Sequence, residues 1–147
     1  MIRLRDCREF WEDVAARVDG ISSVMPVTID EEMGRKIQGL KTTDLPVLFW
    51  VPPMAEGGRG SDADSLAETN TCVVYVMTRY DPLKGGSSLQ ALEQTQEAVE
   101  TLKALLLSEF CGRCGAVNVN AESISTMPET RFYRNFAGWS VGFTTET

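Results

Sequence analysis

The chain has 147 residues, 43% hydrophobic and 24% charged, with no histidine and a net charge of -7; its pI is about 4.6. This is the size of one ordinary domain, taken as residues 1–147, with enough apolar content for a core. The acidic balance argues against a general nucleic-acid binder, which needs a basic face against phosphate. The missing histidine removes the commonest general base and metal ligand, and with it any Ser-His-Asp arrangement.

Residues 1–19 carry Arg3, Arg5, Asp6, Arg8, Glu9, Glu12 and Asp13, so no apolar signal-peptide core is expected there. No stretch approaches the roughly 20 apolar residues of a membrane span. The expectation is a cytosolic protein whose four cysteines stay as free thiols.

The first element is a helix over 4–18. Cys7, Phe10, Trp11, Val14, Ala15 and Val18 repeat at helical spacing, charges fill the opposite side, and Gly20 supplies a stop. Residues 19–44 carry a weaker pattern. A helix start at Asp30 is followed by Gly34 and Gly39, so an irregular segment with a helical turn or two is predicted. The run from Leu45 to Val51 is apolar and β-rich, and Pro52 and Pro53 close it. It reads as a strand buried on both faces. Met54 to Asn70 is a long polar loop, and Cys72 to Met77 is a second doubly buried strand.

A turn at Pro82–Ser88 leads into a long helix from about Ser88 to Phe110. Ser87 and Gln90 have capping-box spacing, and Leu89, Leu92, Val99, Leu102, Leu106 and Phe110 line its apolar face. Val117, Val119 and Ala121 then alternate with Asn118, Asn120 and Glu122, the period of a strand with one wet face. Pro128 marks a turn, and a last strand runs from Phe132 to Thr147. The predicted architecture is an α+β fold: a four-stranded antiparallel sheet with two main helices on one face, in the order α-β-β-α-β-β.

No catalytic, cofactor-binding or metal-ligating residues are assigned. Cys111 and Cys114 form one C-x-x-C pair, half of a zinc site or a redox pair at most. A structural zinc needs four ligands, and a second close pair is missing. A redox pair belongs at a helix N-terminus, whereas this one follows a helix C-terminus. A turn that holds two thiols is the plainer reading.

Lys84–Ser88 precedes a helix, but its lysine does not follow the second glycine as in a P-loop, so a flexible turn is favoured. Asp30, Glu31 and Glu32 are consecutive and point apart. Asp62 and Asp64 sit in the polar loop. Neither set promises two carboxylates at a fixed separation. Trp11 and Trp50 lie on core stripes. The chemical alternatives are therefore a small metal or redox module on Cys111 and Cys114, or a small-ligand-binding α+β protein.

Four features resemble the tail terminator, or tail completion, proteins of bacteriophages and prophages. They are the proline that introduces the first strand in "DLPVLFWV", the long polar loop at Met54 to Asn70, the long amphipathic helix after the second strand, and the aromatic last strand "FAGWSVGFTTE", with glycine before tryptophan. The resemblance implies a non-enzymatic structural protein that forms a homo-oligomeric ring, usually a hexamer. That ring caps the tail tube and joins it to the head–tail connector protein. It implies assembly in the host cytoplasm and residence in the virion tail, without membrane or specific nucleic-acid binding. An acidic ring lumen would let DNA pass without sticking, by like-charge repulsion.

A ring needs two different faces that fit each other. The doubly apolar strands at Val47–Val51 and Val73–Met77 are expected to bury surface between subunits. In the last strand, Phe132 and Phe136 have the opposite parity to Trp139 and Phe143. A bulge at Ala137–Gly138 would bring all four to one core.

Overall fold

A computed structural model describes residues 1–28, 31–57, 68–111, 117–133 and 135–146; the side chains of 31–33 and 146 fall outside the described set. The described residues form a mixed α+β structure with three helices and one five-stranded sheet of order β1-β2-β3-β5-β4. The helices are α1 (Leu4–Arg17), α2 (Glu31–Gln38) and α3 (Ser87–Glu109). The strands are β1 (Ser23–Pro26), β2 (Val47–Gly57), β3 (Glu68–Arg79), β4 (Ser125–Phe132) and β5 (Phe136–Glu146).

The segment expected to be irregular holds β1 and α2. β1 lies parallel to β2, with Ser23 opposite Val47 and Pro26 opposite Trp50. Parallel neighbours need a crossover of a dozen or more residues, usually helical, and α2 is that crossover. The sheet is therefore five-stranded and mixed, not four-stranded and wholly antiparallel. The β2–β3, β3–β5 and β4–β5 pairs are antiparallel.

α1 and α3 cover one sheet face. Cys7, Trp11, Val14 and Ala15 of α1 meet Leu48, Trp50, Val74, Val76, Val141 and Phe143 of the sheet, with Ala98, Val99, Leu102 and Leu106 of α3. Each fully buried side chain of this size contributes roughly 1.5–3 kcal/mol. α3 turns further than its leucine pattern implies. Leu89 is exposed, whereas Ala91 and Thr95 are buried. Small residues at the contact let the helix sit close to the sheet, and the Thr95 hydroxyl satisfies itself on the Ala91 carbonyl at 2.8 Å.

The expected capping box is absent. The residue before α3 is Gly86, at φ 78, and no side chain caps the helix. The Ser87 hydroxyl instead accepts the Asp81 N–H at 2.9 Å, which closes the β3–α3 turn. Glycine suits Gly86 because that left-handed backbone carries a penalty for any residue with a Cβ.

The opposite sheet face carries a second, smaller core of Ile37, Val47, Phe49, Met77 and Phe136, against which Phe132 and Tyr75 pack. This explains the two parities of the last strand. Phe136 belongs to one core, and Trp139 and Phe143 to the other. No bulge interrupts β5 along β3, where Arg79–Phe136 through Thr69–Glu146 keep one register. The extra residue lies in β4, between Glu129 and Phe132, not at Ala137–Gly138.

Three more boundaries move. β2 continues through Pro52 and Pro53, with its register shift between Val51 and Met54; proline is tolerated at such an irregularity because the ladder is already interrupted. Val117 and Val119 are buried, but they lie in an irregular segment held by isolated bridges to Cys111 and Thr145. The strand expected there begins instead at Ser125, and Pro128 lies within it rather than in a turn.

Candidate functional site

Cys7 and Cys72 lie in the main core. Burial pushes the Cys7 thiol up to about 11, against a smaller lowering from its hydrogen bond with Trp11. Burial, and then the neighbouring Cys7, push Cys72 to about 12. Such thiols stay protonated and inert at neutral pH. Cys111 is half-buried and bridges Val119; its partner Cys114 lies outside the described residues, as do Asp30, Asp62 and Asp64. Among the described residues no group of three or more His, Cys, Asp or Glu is placed to hold a metal. Among the described residues no helix is long and apolar enough to cross a membrane.

Trp11 and Trp50 are core residues. In the Lys84–Ser88 turn, the Ser87 hydroxyl is already engaged with Asp81. An open cleft of about 460 Å³ lies where the β2 and β3 ends meet α3, lined by residues including Gly20, Pro46, Thr78 and Gln94. Among the described residues no acid–base pair converges in it.

The feature left over is the second sheet face. α2 covers only part of it. Ile37 seats on Val47, Phe49, Met77 and Phe136. The Arg79 guanidinium reaches up from β3 to the Leu40 and Gln38 carbonyls at the end of α2 and lies 5.5 Å over the Phe136 ring. Cations at a helix C-terminus are favoured by its dipole.

Beyond α2 the face stays open among the described residues. Strand alternation places Val51, Val73, Tyr75, Met127, Ser140, Gly142 and Thr144 on it, and the registers align them. The β2 irregularity keeps Met54 opposite Thr71, and so on this same face. Met54 and Met127 are 57% and 60% exposed.

Within the open half, polar and aromatic groups converge. The Ser140 hydroxyl donates to Glu129 Oε1 at 3.0 Å. Burial and the Glu129 charge together raise the Tyr75 pKa. The Tyr75 ring lies 4.9 Å from Phe132, and Phe132 lies 4.9 Å from Tyr133 and 5.4 Å from Phe49. A carboxylate with no cation among the described residues thus stands beside an aromatic platform. The turn expected at Pro128 leaves Glu129 without strand neighbours, so the sequence pattern does not show this cluster. The signal that reveals it is the period-two spacing of Ser125, Met127 and Glu129, legible once β4 is placed there.

No protein-family model matches the chain, and no curated protein matches its sequence.

Proposed function

We propose that the chain is a structural subunit of a phage or prophage tail, resembling tail terminators, that forms a ring capping the tail tube and offers a docking surface to the head–tail connector. The observation that carries this reading is the half-open sheet face. Met54, Met127 and Tyr133 stand exposed there, with Tyr75 and Phe132 half-buried around a polar centre, the composition of a protein-contact patch. Apolar surface on β2 and β3 is expected to be shared between subunits. α2 takes the part at Val47, Phe49 and Met77, leaving Val51, Val73 and Tyr75 half-buried for a partner. The order α1, β2–β3 hairpin, α3, β4–β5 hairpin retains the sequence of elements on which the resemblance rests.

The ring acts by geometry rather than chemistry. A closed ring at the tube end occupies the surface that the next tube subunit needs, so polymerisation stops there. Negative-stain imaging of the protein mixed with its cognate tail tube protein tests the reading. Rings on tube ends and tubes of limited length are expected; bare ends and unrestrained growth count against it.

A further inference from the structure

We propose that in the free protein the open half of the second sheet face is occupied by a second copy of this chain. Arg35, on the outer side of α2, would enter the Glu129–Ser140–Tyr75 site of its partner, reciprocally across a two-fold axis. The inference stands apart from the ring reading, because it concerns the protein without its tube.

The argument starts from shape. α2 and the open half lie side by side on one sheet face, a raised step beside a notch. Seating the step of one copy in the notch of another brings these two faces together. The same placement brings the partner's step over the first copy's notch. A contact between two patches on one face is therefore self-complementary, the condition for an isologous dimer.

Charge supplies the register. Ile37 faces the sheet and is buried. Arg35, two residues earlier and so about 160° round the helix, is exposed on the outer side. Among the described residues neither Arg35 nor Glu129 has an ion-pair partner. Ser140 holds the Glu129 carboxylate in place, and the Tyr75 and Phe132 rings beside it suit a guanidinium, which stacks on aromatic faces as well as pairing with carboxylate. The chain carries a net charge of -7, so two copies repel overall; the reciprocal Arg35–Glu129 contacts offset that repulsion where the surfaces meet. A subunit paired this way has its open half covered, and is held out of any ring that uses that half.

Sedimentation equilibrium of the full chain, at several protein and salt concentrations, tests this. The wild type is expected to dimerise reversibly, and charge reversals at the two positions are expected to have smaller effects as salt screens the Arg35–Glu129 contacts. Arg35→Glu and Glu129→Arg should each weaken the dimer by about tenfold or more, and the double reversal should recover most of that loss. A monomer at all concentrations overturns the proposal. So does association insensitive to the single reversals, or a double variant no better than the singles. A ring larger than a dimer overturns the two-fold contact while favouring the ring reading; failure to cap tubes bears on the ring reading alone. Thermal melts of each variant identify any that do not fold, and Arg35→Gln and Glu129→Gln, expected to weaken the dimer without repulsion, then replace them.

Discussion

The indole N–H of Trp139 on β5 donates to the main-chain carbonyl of Leu92 in α3 at 3.0 Å. This hydrogen bond ties the long helix to the centre of the sheet at a defined height. Trp139→Phe keeps an aromatic ring and removes the donor. It should lower stability by about 1 kcal/mol, read as a lower urea midpoint with an unchanged slope. An unchanged midpoint would show that the bond contributes nothing net.

Gly138 of β5 packs against the β3 main chain with no room for a side chain. A Cβ built there would lie 1.9 Å from the Val76 carbonyl oxygen. Gly138→Ala should therefore cost about 3 kcal/mol or more, because main chain rather than a side-chain tip must move. Gly142→Ala is the control. Its Cβ would meet the Ser125 hydroxyl at 3.2 Å and the Cys72 carbonyl oxygen at an ordinary 3.9 Å, and should shift stability by less than about 1 kcal/mol. Equal melting temperatures for the two variants would sink this account. Gly138→Val is expected to destabilise as well, through this close approach rather than through a bulge.

Alkaline pH should weaken the fold through the buried thiols. The folded values of Cys7 and Cys72 stand at about 11 and 12, above the ordinary 9.0. Below pH 9 both thiols are protonated, folded or unfolded, and the stability they confer is fully present. As pH rises past 9 the unfolded chain releases protons that the folded chain retains, and stability falls until the folded thiols ionise. Each thiol contributes a slope of roughly 1.4 kcal/mol per pH unit inside its window. Cys72→Ala should flatten the fall between pH 9 and 11, in denaturant titrations at each pH. A slope identical to wild type would place the alkaline sensitivity elsewhere.

Arg79→Met retains the side-chain stem over Phe136 and removes the donors to α2. Charge-assisted hydrogen bonds of this kind contribute about 1.5–3 kcal/mol. Amide exchange within 34–38 should accelerate by about tenfold or more, while α1 and α3 change less. Uniform acceleration across the chain would mean that Arg79 supports the whole fold rather than the seat of α2.

Much of this architecture was legible because side-chain period reports burial. α1 was readable to within a residue because its stripe from Cys7 to Val18 meets one core. β2 was recognisable as doubly buried from Val47 to Trp50, since Phe49 and Trp50 serve opposite cores, whereas β3 is buried on both faces only at its Val76–Met77 end and leaves Val73 and Tyr75 half-buried. β1 escaped notice because four residues ending in proline are too few to show a period. α2 was blurred by Gly34 and Gly39, and it holds its place through Ile37 and Arg79 rather than through propensity. The displaced fourth strand has a physical cause too. Val117 and Val119 alternate as a strand does, but they bury against the α3 end and β5 without a full ladder. The Glu129 cluster draws on β3, β4 and β5, so no local window contains it.

The middle seam of the sheet has a consequence for biosynthesis. β3 and β5 are central neighbours, yet α3 and β4 separate them along the chain. A ribosome delivers β2, β3 and the helix well before the strand that completes them. During that interval the β2–β3 hairpin presents an unpaired edge flanked by apolar faces, the kind of surface that recruits stray strands. Contacts so distant in sequence also close slowly. Yield should therefore respond to translation speed and chaperone supply before it responds to the stability of the finished fold.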